Sequence, residues 1–355
     1  MSRNIYRRNT RHSGRKQRGL AGPVYGAIDL GTNNCRLLLA EPCEQGFRVI
    51  DGFSRIVRLG EGLTKTGNLS EAAMARTLEA LKVCAAKAKH LNARKVHCIA
   101  TEACRRANNG QEFLQMAESQ TGLEFEIVTP EIEARLTLSG CAPLLRTGHK
   151  KALLFDIGGG STEIMWVETP RGQPPHAQGI LSFPMGVVTL AEDYGHGGIT
   201  PDIHDRIRRE ISRHLVPFCD EHAIRDAIGG NEVQMLGTSG TVTTLGAIYL
   251  GLERYDRSRV DGLTIPFNNI RAISARLAGM NMESRRRIPC IGADRADLML
   301  MGCAILGTIC DRWPVSALRA ADRGIREGLL LGMIEEDRKR RPKPAHDSDS
   351  VASMA

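Results

Sequence analysis

The chain has 355 residues, 42% of them hydrophobic and 25% charged, a composition that fits a soluble globular protein with room for two cored domains. Its net charge of +8 is concentrated: residues 1–19 carry seven basic side chains and no acid, leaving about +1 for the other 336 residues. A globally basic nucleic-acid binder is therefore disfavoured, because phosphate-neutralising charge belongs on a folded face.

The ten cysteines are scattered, without a CxxC pair, which suits reduced, buried thiols and a cytoplasmic location better than a disulfide framework or zinc site. No apolar run approaches the ~20 residues of a membrane span, so no membrane partner is expected. Residues 1–19 read as a disordered basic tail, with an organelle-targeting segment or a weak polyanion clamp as alternatives.

In chain order, VYGAIDLGTNNCRLLLAE (24–41) places two apolar runs around a glycine turn, the pattern of a β-hairpin, and FRVIDGFSRIVRLG supplies another strand. Ser70 precedes a long run of strong helix formers with apolar residues at helical spacing and basic residues near its end. KVHCIAT predicts a strand, QEFLQMAESQTG a helix ending at glycine, FEIVTP a strand stopped by Pro130, and about 131–145 a helix. LLFD, IGGGS and TEIMWVE (153–168) then repeat strand, glycine turn and strand, 127 residues after the first hairpin measured from Asp29 to Asp156. TPRGQPPHAQG (169–179) reads as a surface loop, and VQMLGTSGTVTTLGAIYLG as a strand passing through glycines into a helix. A last helix is expected from about Asp322 to just before RKRRPKP, with residues 342–355 disordered. The repeat divides the chain into an α/β domain over 20–148 and a second over 149–338, followed by a tail over 339–355.

A turn without side chains lets backbone N–H groups approach a phosphate, and a carboxylate beside it can hold a hard cation that bridges to the same phosphate. A bare hairpin turn explains one such stretch, whereas two with the same acid placement point to phosphate and metal together. The third turn, Gly237 to Gly240, offers a phosphate the N-terminus of a helix. IGGGSTEI is not a P-loop or a dinucleotide fingerprint, since it lacks Lys and continues as a strand. Glu163, seven residues beyond Asp156 on the returning strand, is either its partner in holding metal or water, or an exposed strand glutamate.

These segments, with IATEACRRANNG (99–110), EIEARLTLSG (131–140), RADLMLMGCAIL (295–306) and DRGIREGLLL (322–331), resemble the exopolyphosphatase and guanosine pentaphosphate phosphohydrolase family of the actin, Hsp70 and sugar kinase superfamily. The match runs in order from residue 24 to 331. It implies two ribonuclease-H-like domains facing across a cleft, and hydrolysis of terminal phosphate from inorganic polyphosphate or guanosine pentaphosphate with Mg²⁺ or another divalent cation. Carried over residue by residue, Glu133 matches the catalytic base, and Asp156 and Glu163 match the further catalytic acids. Asp29 joins those two as a metal-holding group. Gly31, Thr32 and Asn33 match the first phosphate loop, and Gly158, Gly159, Gly160 and Ser161 the second, with Gly240 at the third turn. Arg105 matches the arginine of a Thr-x-x-x-Arg pattern that contacts phosphate, an ordinary surface arginine being the alternative.

The sequence departs from the family at Asn34, where serine is common, at TPEIEARL in place of Ser-Gly-x-Glu-Glu, and at Thr189, where arginine is frequent. The resemblance implies a short form that stops where longer members continue into a C-terminal HD-type helical domain, and a homodimer. An alarmone-binding regulator with weak catalysis and an ATP-dependent small-molecule kinase are the competing readings.

Overall fold

The aliphatic runs around the first glycine turn form the expected hairpin: β1 (Tyr25–Leu30) pairs antiparallel with β2 (Asn34–Cys43), Asp29 opposite Arg36, and β3 (Gly46–Ile56) extends the sheet. The computed structural model describes residues 22–195 and 199–340; the basic segment 1–19 and the polar segment 342–355, expected to be solvated tails, lie outside the described residues. After a single turn, α1 (Leu63–Thr66), comes α2 (Glu71–His90), whose Ser70 cap accepts from the Ala73 amide and whose last turn carries Lys87, Lys89 and His90 toward the negative end of its dipole. β4 (Lys95–Ala100) then lies parallel to β1, α3 (Glu102–Arg106) and α4 (Gly110–Thr121) follow, and β5 (Phe125–Ile127) completes the sheet beside β4.

Helix α5 (Pro130–Cys141), with proline at its first position and Thr129 as cap, ends in a tight turn that leads to the second hairpin, β6 (Lys151–Ile157) and β7 (Thr162–Glu168). β8 (His176–Phe183) pairs at the outer edge of β7. This overturns part of the surface-loop expectation for 169–179: Pro174 and Pro175 end the loop, and from His176 the backbone pairs with β7. The amphipathic helix α7 (Pro201–Glu221) follows α6 (Val187–Tyr194), and α8 (Ile224–Gly229) precedes β9 (Val233–Thr238). Beyond α9 (Gly240–Tyr249) lie α10 (Arg257–Val260), β10 (Thr264–Pro266), α11 (Phe267–Ala278), α12 (Met282–Arg286), α13 (Met299–Arg312), β11 (Ala317–Ala321) and α14 (Ile325–Arg340). The last helix begins at Ile325, three residues later than expected. The Asp322 amide is drawn to the Asp261 carboxylate at 3.0 Å, and the Arg323 carbonyl accepts from Thr238 at 2.9 Å, so this stretch is held out of helical geometry.

The first sheet has the order β3-β2-β1-β4-β5, and the second has β10-β11-β9-β6-β7-β8. Without the edge strand β10, the second repeats the first strand for strand and sense for sense. The molecule is thus α/β, built from two ribonuclease-H-like sheets of mixed strands. One face of the first sheet packs on α2 and α4 through Leu78, Leu81, Phe113 and Leu114. Its other face receives Ile325, Leu329, Leu330, Met333 and Ile334 of α14, from the far end of the chain. In exchange, Ala134, Leu138 and Cys141 of α5 pack against Ala152, Leu154, Met165 and Val167 of the second sheet. Each buried leucine or isoleucine in these seams contributes about 1.5–3 kcal/mol. Among the described residues no helix is long and apolar enough to cross a membrane.

Candidate active site

Both glycine turns leave the same end of equivalent central strands, and they meet. A Cβ at Gly159 would lie 3.0 Å from Thr32 Cβ and 3.1 Å from the Asn33 amide nitrogen, and one at Gly160 would lie 2.7 Å from Thr32 Oγ1. Only glycine permits that approach, and it leaves Thr32 and Asn33 at 5% and 7% exposure.

The carbonyl groups of both turns point away from this contact. Thr32 O accepts from the Gly60 amide and Asn33 O from Val57 and Arg58, while Gly158 O accepts from Val187 and Gly159 O from Val188. Within one peptide unit N–H and C=O point in opposite directions. The N–H groups of Asn33, Gly159 and Gly160 are therefore turned inward, and none has a hydrogen-bond acceptor among the described residues. Unpaired amides gathered at one contact could hold an anion, as in a backbone nest. The turn itself is tied by Gly31 N to Asn34 O and by Gly158 N to Ser161 O, both at 2.9 Å. Gly240 opens α9, whose Ser239 cap accepts from the Val242 amide at 2.9 Å.

Four acids gather around the nest. Asp156 and Glu163 stand directly opposite across the β6–β7 hairpin. Glu163 is buried and takes a hydrogen bond from Ser182 at 2.9 Å. Burial, and after it Glu163, pushes the Asp156 carboxyl up to about 8. Glu163 is itself raised by burial, with hydrogen bonds from Ser161 and Ser182 working against the rise. Asp29 is raised by burial against the pull of Arg36 and Arg326.

Glu133 sits in the first turn of α5, where the Thr129 cap and Pro130 fix the helix start, and it is buried. Its carboxyl is held well above the ordinary glutamate range by burial and then by Glu163, with Arg105 opposing. Arg105 binds Glu102 at 2.7 Å and the Val128 carbonyl at 2.5 Å, and it stays 3.5 Å from Glu133. It is partly buried and faces the acids, not solvent. Thr189 Oγ1 accepts from the Gly186 amide at 2.8 Å, so at the position where arginine is frequent this chain has a helix cap.

Among the described residues no three His, Cys, Asp or Glu side chains stand close enough to hold a metal ion by themselves. The expected Asp29, Asp156 and Glu163 thus share one floor without forming a closed cage.

Sequence reasoning missed two arginines. Arg36 lies across β1–β2 from Asp29, and its field acts on both Asp29 and Asp156. Arg295 approaches the Gly240 position at 4.0 Å, and burial and the charge of Arg36 lower its pKa. Neither side chain has a hydrogen bond or ion pair among the described residues. Arg36 lies close enough to lower the pKa of Arg295, so the two guanidiniums share a region of positive charge that an anion would relieve. Both lie inside family-like segments, yet no spacing rule ties residue 36 to residue 295.

The profile of the Ppx/GppA phosphatase family matches residues 39–337. The crystal structure of the Aquifex aeolicus Ppx/GppA family member superposes with a TM-score of 0.72 at 26% identity, covering 89% of this chain and 98% of that one. An exopolyphosphatase from Cytophaga hutchinsonii superposes at 0.79 with 22% identity, over 88% and 98% of the two chains, a likeness of fold. A curated guanosine-5'-triphosphate,3'-diphosphate pyrophosphatase from Aeromonas salmonicida is 27% identical over 313 residues, 88% of this chain. The chain spans 60% of that relative's length.

Proposed function

The chain belongs to the Ppx/GppA phosphatase family, and from that premise we propose that it hydrolyses the terminal phosphate of inorganic polyphosphate. The observation that carries the reading is the inward-facing amide nest formed where the two glycine turns meet, with Glu133 beside it. Amides of Asn33, Gly159 and Gly160 hold the oxygens of the terminal phosphoryl group, Arg105 contacts it, and Arg36 and Arg295 receive the next phosphates of the chain. Glu133 orients a water for in-line attack on phosphorus and takes its proton, a role favoured by a carboxyl whose basicity burial raises.

The donor set fits a hard divalent cation such as Mg²⁺: Asp29, Asp156 and Glu163 concentrate negative charge that burial makes costly. Mg²⁺ needs only one or two carboxylates when phosphate oxygens and water complete its shell. When bound, the cation supplies charge neutralisation for the phosphoryl oxygens.

Guanosine pentaphosphate is the second candidate, favoured by the name of the Aeromonas salmonicida relative; it presents the same phosphoanhydride to the nest. Phosphate release with Mg²⁺ on long-chain polyphosphate, guanosine pentaphosphate and ATP, with Glu133→Gln as control, tests both. Release from polyphosphate that disappears in the variant supports the reading. Release from ATP alone, or equal release by the variant, defeats it.

A further inference from the structure

The Arg105 guanidinium is shared unequally between two carboxylates. Glu102 takes it edge-on, at 3.2 Å from Nε and 2.7 Å from Nη2, and Nη1 donates to the Val128 carbonyl. Glu133 keeps only long contacts, 3.5 Å from each Nη. An arginine beside a desolvated carboxylate ordinarily closes to a two-point ion pair at about 2.7–2.9 Å. Closure here would occupy the lone pairs that Glu133 needs for water, and the guanidinium edge that would contact phosphate.

We propose that Glu102 is a positioning residue: by gripping the Nε–Nη2 edge of Arg105 it keeps the guanidinium from closing onto Glu133. The inference rests on the reading of Glu133 as base. Glu102 is placed for this work in the first turn of α3, three residues before Arg105, with its side chain 12% exposed. Its stem lies against the second glycine turn, where a Cβ on Gly160 would come within 2.8 Å of Glu102 Cγ. The grip on Arg105 is therefore set by contact between the two halves of the molecule. The charges facing Glu133 are Glu163 on β7, Arg105 on α3, Asp29 on β1 and Asp156 on β6. Arg105 is the one cation in that set, so its placement decides whether the base is free or locked.

Two readouts test the proposal. The first needs no turnover: in ¹⁵N side-chain NMR the Arg105 Nε–H signal, identified by its loss in Arg105→Lys, should exchange slowly in the parent and in Glu133→Gln. It should lose that protection in Glu102→Gln. The second is a double-mutant cycle on polyphosphate hydrolysis. Glu102→Gln should lower kcat/KM about tenfold in the parent and less than about twofold in an Arg105→Gln background, with Glu102→Asp recovering part of the loss. Equal losses in both backgrounds, or a protected Nε–H in Glu102→Gln, overturn the proposal. A parent that releases no phosphate while its Nε–H signal still depends on Glu102 overturns the hydrolase reading alone.

Discussion

Asp156 and Glu163 face each other directly across the β6–β7 hairpin, seven residues apart in sequence. The equivalent pair in the first hairpin, also seven residues apart, is Asp29 and Arg36. The two halves thus repeat a backbone and not a charge: one hairpin pairs an acid with a cation, and the other pairs two acids. Arg36 opposes the rise at Asp29, whereas Glu163 adds to the rise that takes Asp156 to about 8. Of the two hairpin aspartates, the one that faces a second acid therefore lies in the second half.

This asymmetry makes stability depend on pH in a defined direction. Asp156 has its folded pKa raised from 3.8 to about 8, so the folded chain keeps a proton that the unfolded chain loses. The stabilisation is complete below 3.8 and is lost as pH rises through about 8. In metal-free buffer the melting temperature should fall between about pH 4 and pH 8, and Asp156→Asn should flatten that slope. Parallel slopes in the two proteins would show that Asp156 titrates elsewhere.

The same residue should govern cation dependence. Asp156→Asn is expected to raise the Mg²⁺ concentration for half-maximal phosphate release by about tenfold or more. A superimposable Mg²⁺ titration would remove Asp156 from the cation's shell.

Glu133→Gln keeps the volume of the side chain and removes the base. Turnover should drop about 10²- to 10⁴-fold with KM for polyphosphate little changed, as steady-state phosphate release would record. Turnover equal to the parent's would assign the base elsewhere.

Gly159→Ala places a methyl group 3.0 Å from Thr32 Cβ and 3.1 Å from the Asn33 amide nitrogen. The turns must separate by a few tenths of an ångström, which widens the nest; KM should rise by about tenfold with a small loss of thermal stability. An unchanged KM would mean that the two turns bind phosphate independently.

Arg36→Gln and Arg295→Gln each remove a cation that has no partner of its own among the described residues. Each should weaken polyphosphate binding by about tenfold or more; Arg295→Gln, which relieves repulsion with Arg36, should leave the melting temperature equal or higher, whereas Arg36→Gln should lower it by removing the charge that offsets Asp29 and Asp156. Unaltered binding in both variants would make the two arginines structural.

Much of the fold was legible because each hairpin advertised itself twice, by aliphatic runs and by a glycine turn after an aspartate. The helices after Ser70 and Thr129 carried their caps in the sequence. β8 was hidden by Pro174, Pro175 and the polar residues of an edge strand. The start of α14 was displaced by side-chain contacts with Asp261 and Thr238, residues far away in sequence. The acids and glycines of the site were recognisable as local patterns. Glu102, Arg36 and Arg295 were not, since what distinguishes them is which charges they face after folding.

The exchange of α5 and α14 bears on how the chain is made. The core under β1 and β2 joins Tyr25, Ala27 and Leu38 to Ile325, Leu330 and Ile334, and it stays open until the last helix arrives. At the crossing, a Cβ on Gly140 would lie 2.0 Å from the Gly324 carbonyl oxygen and one on Gly328 2.1 Å from that of Leu136, so the late helix must dock at bare backbone. A ribosome releasing residues in order therefore exposes the first sheet's inner face throughout synthesis of the second half. Cutting the gene between the sheets would separate each from the helix that covers it, leaving fragments that need one another in solution.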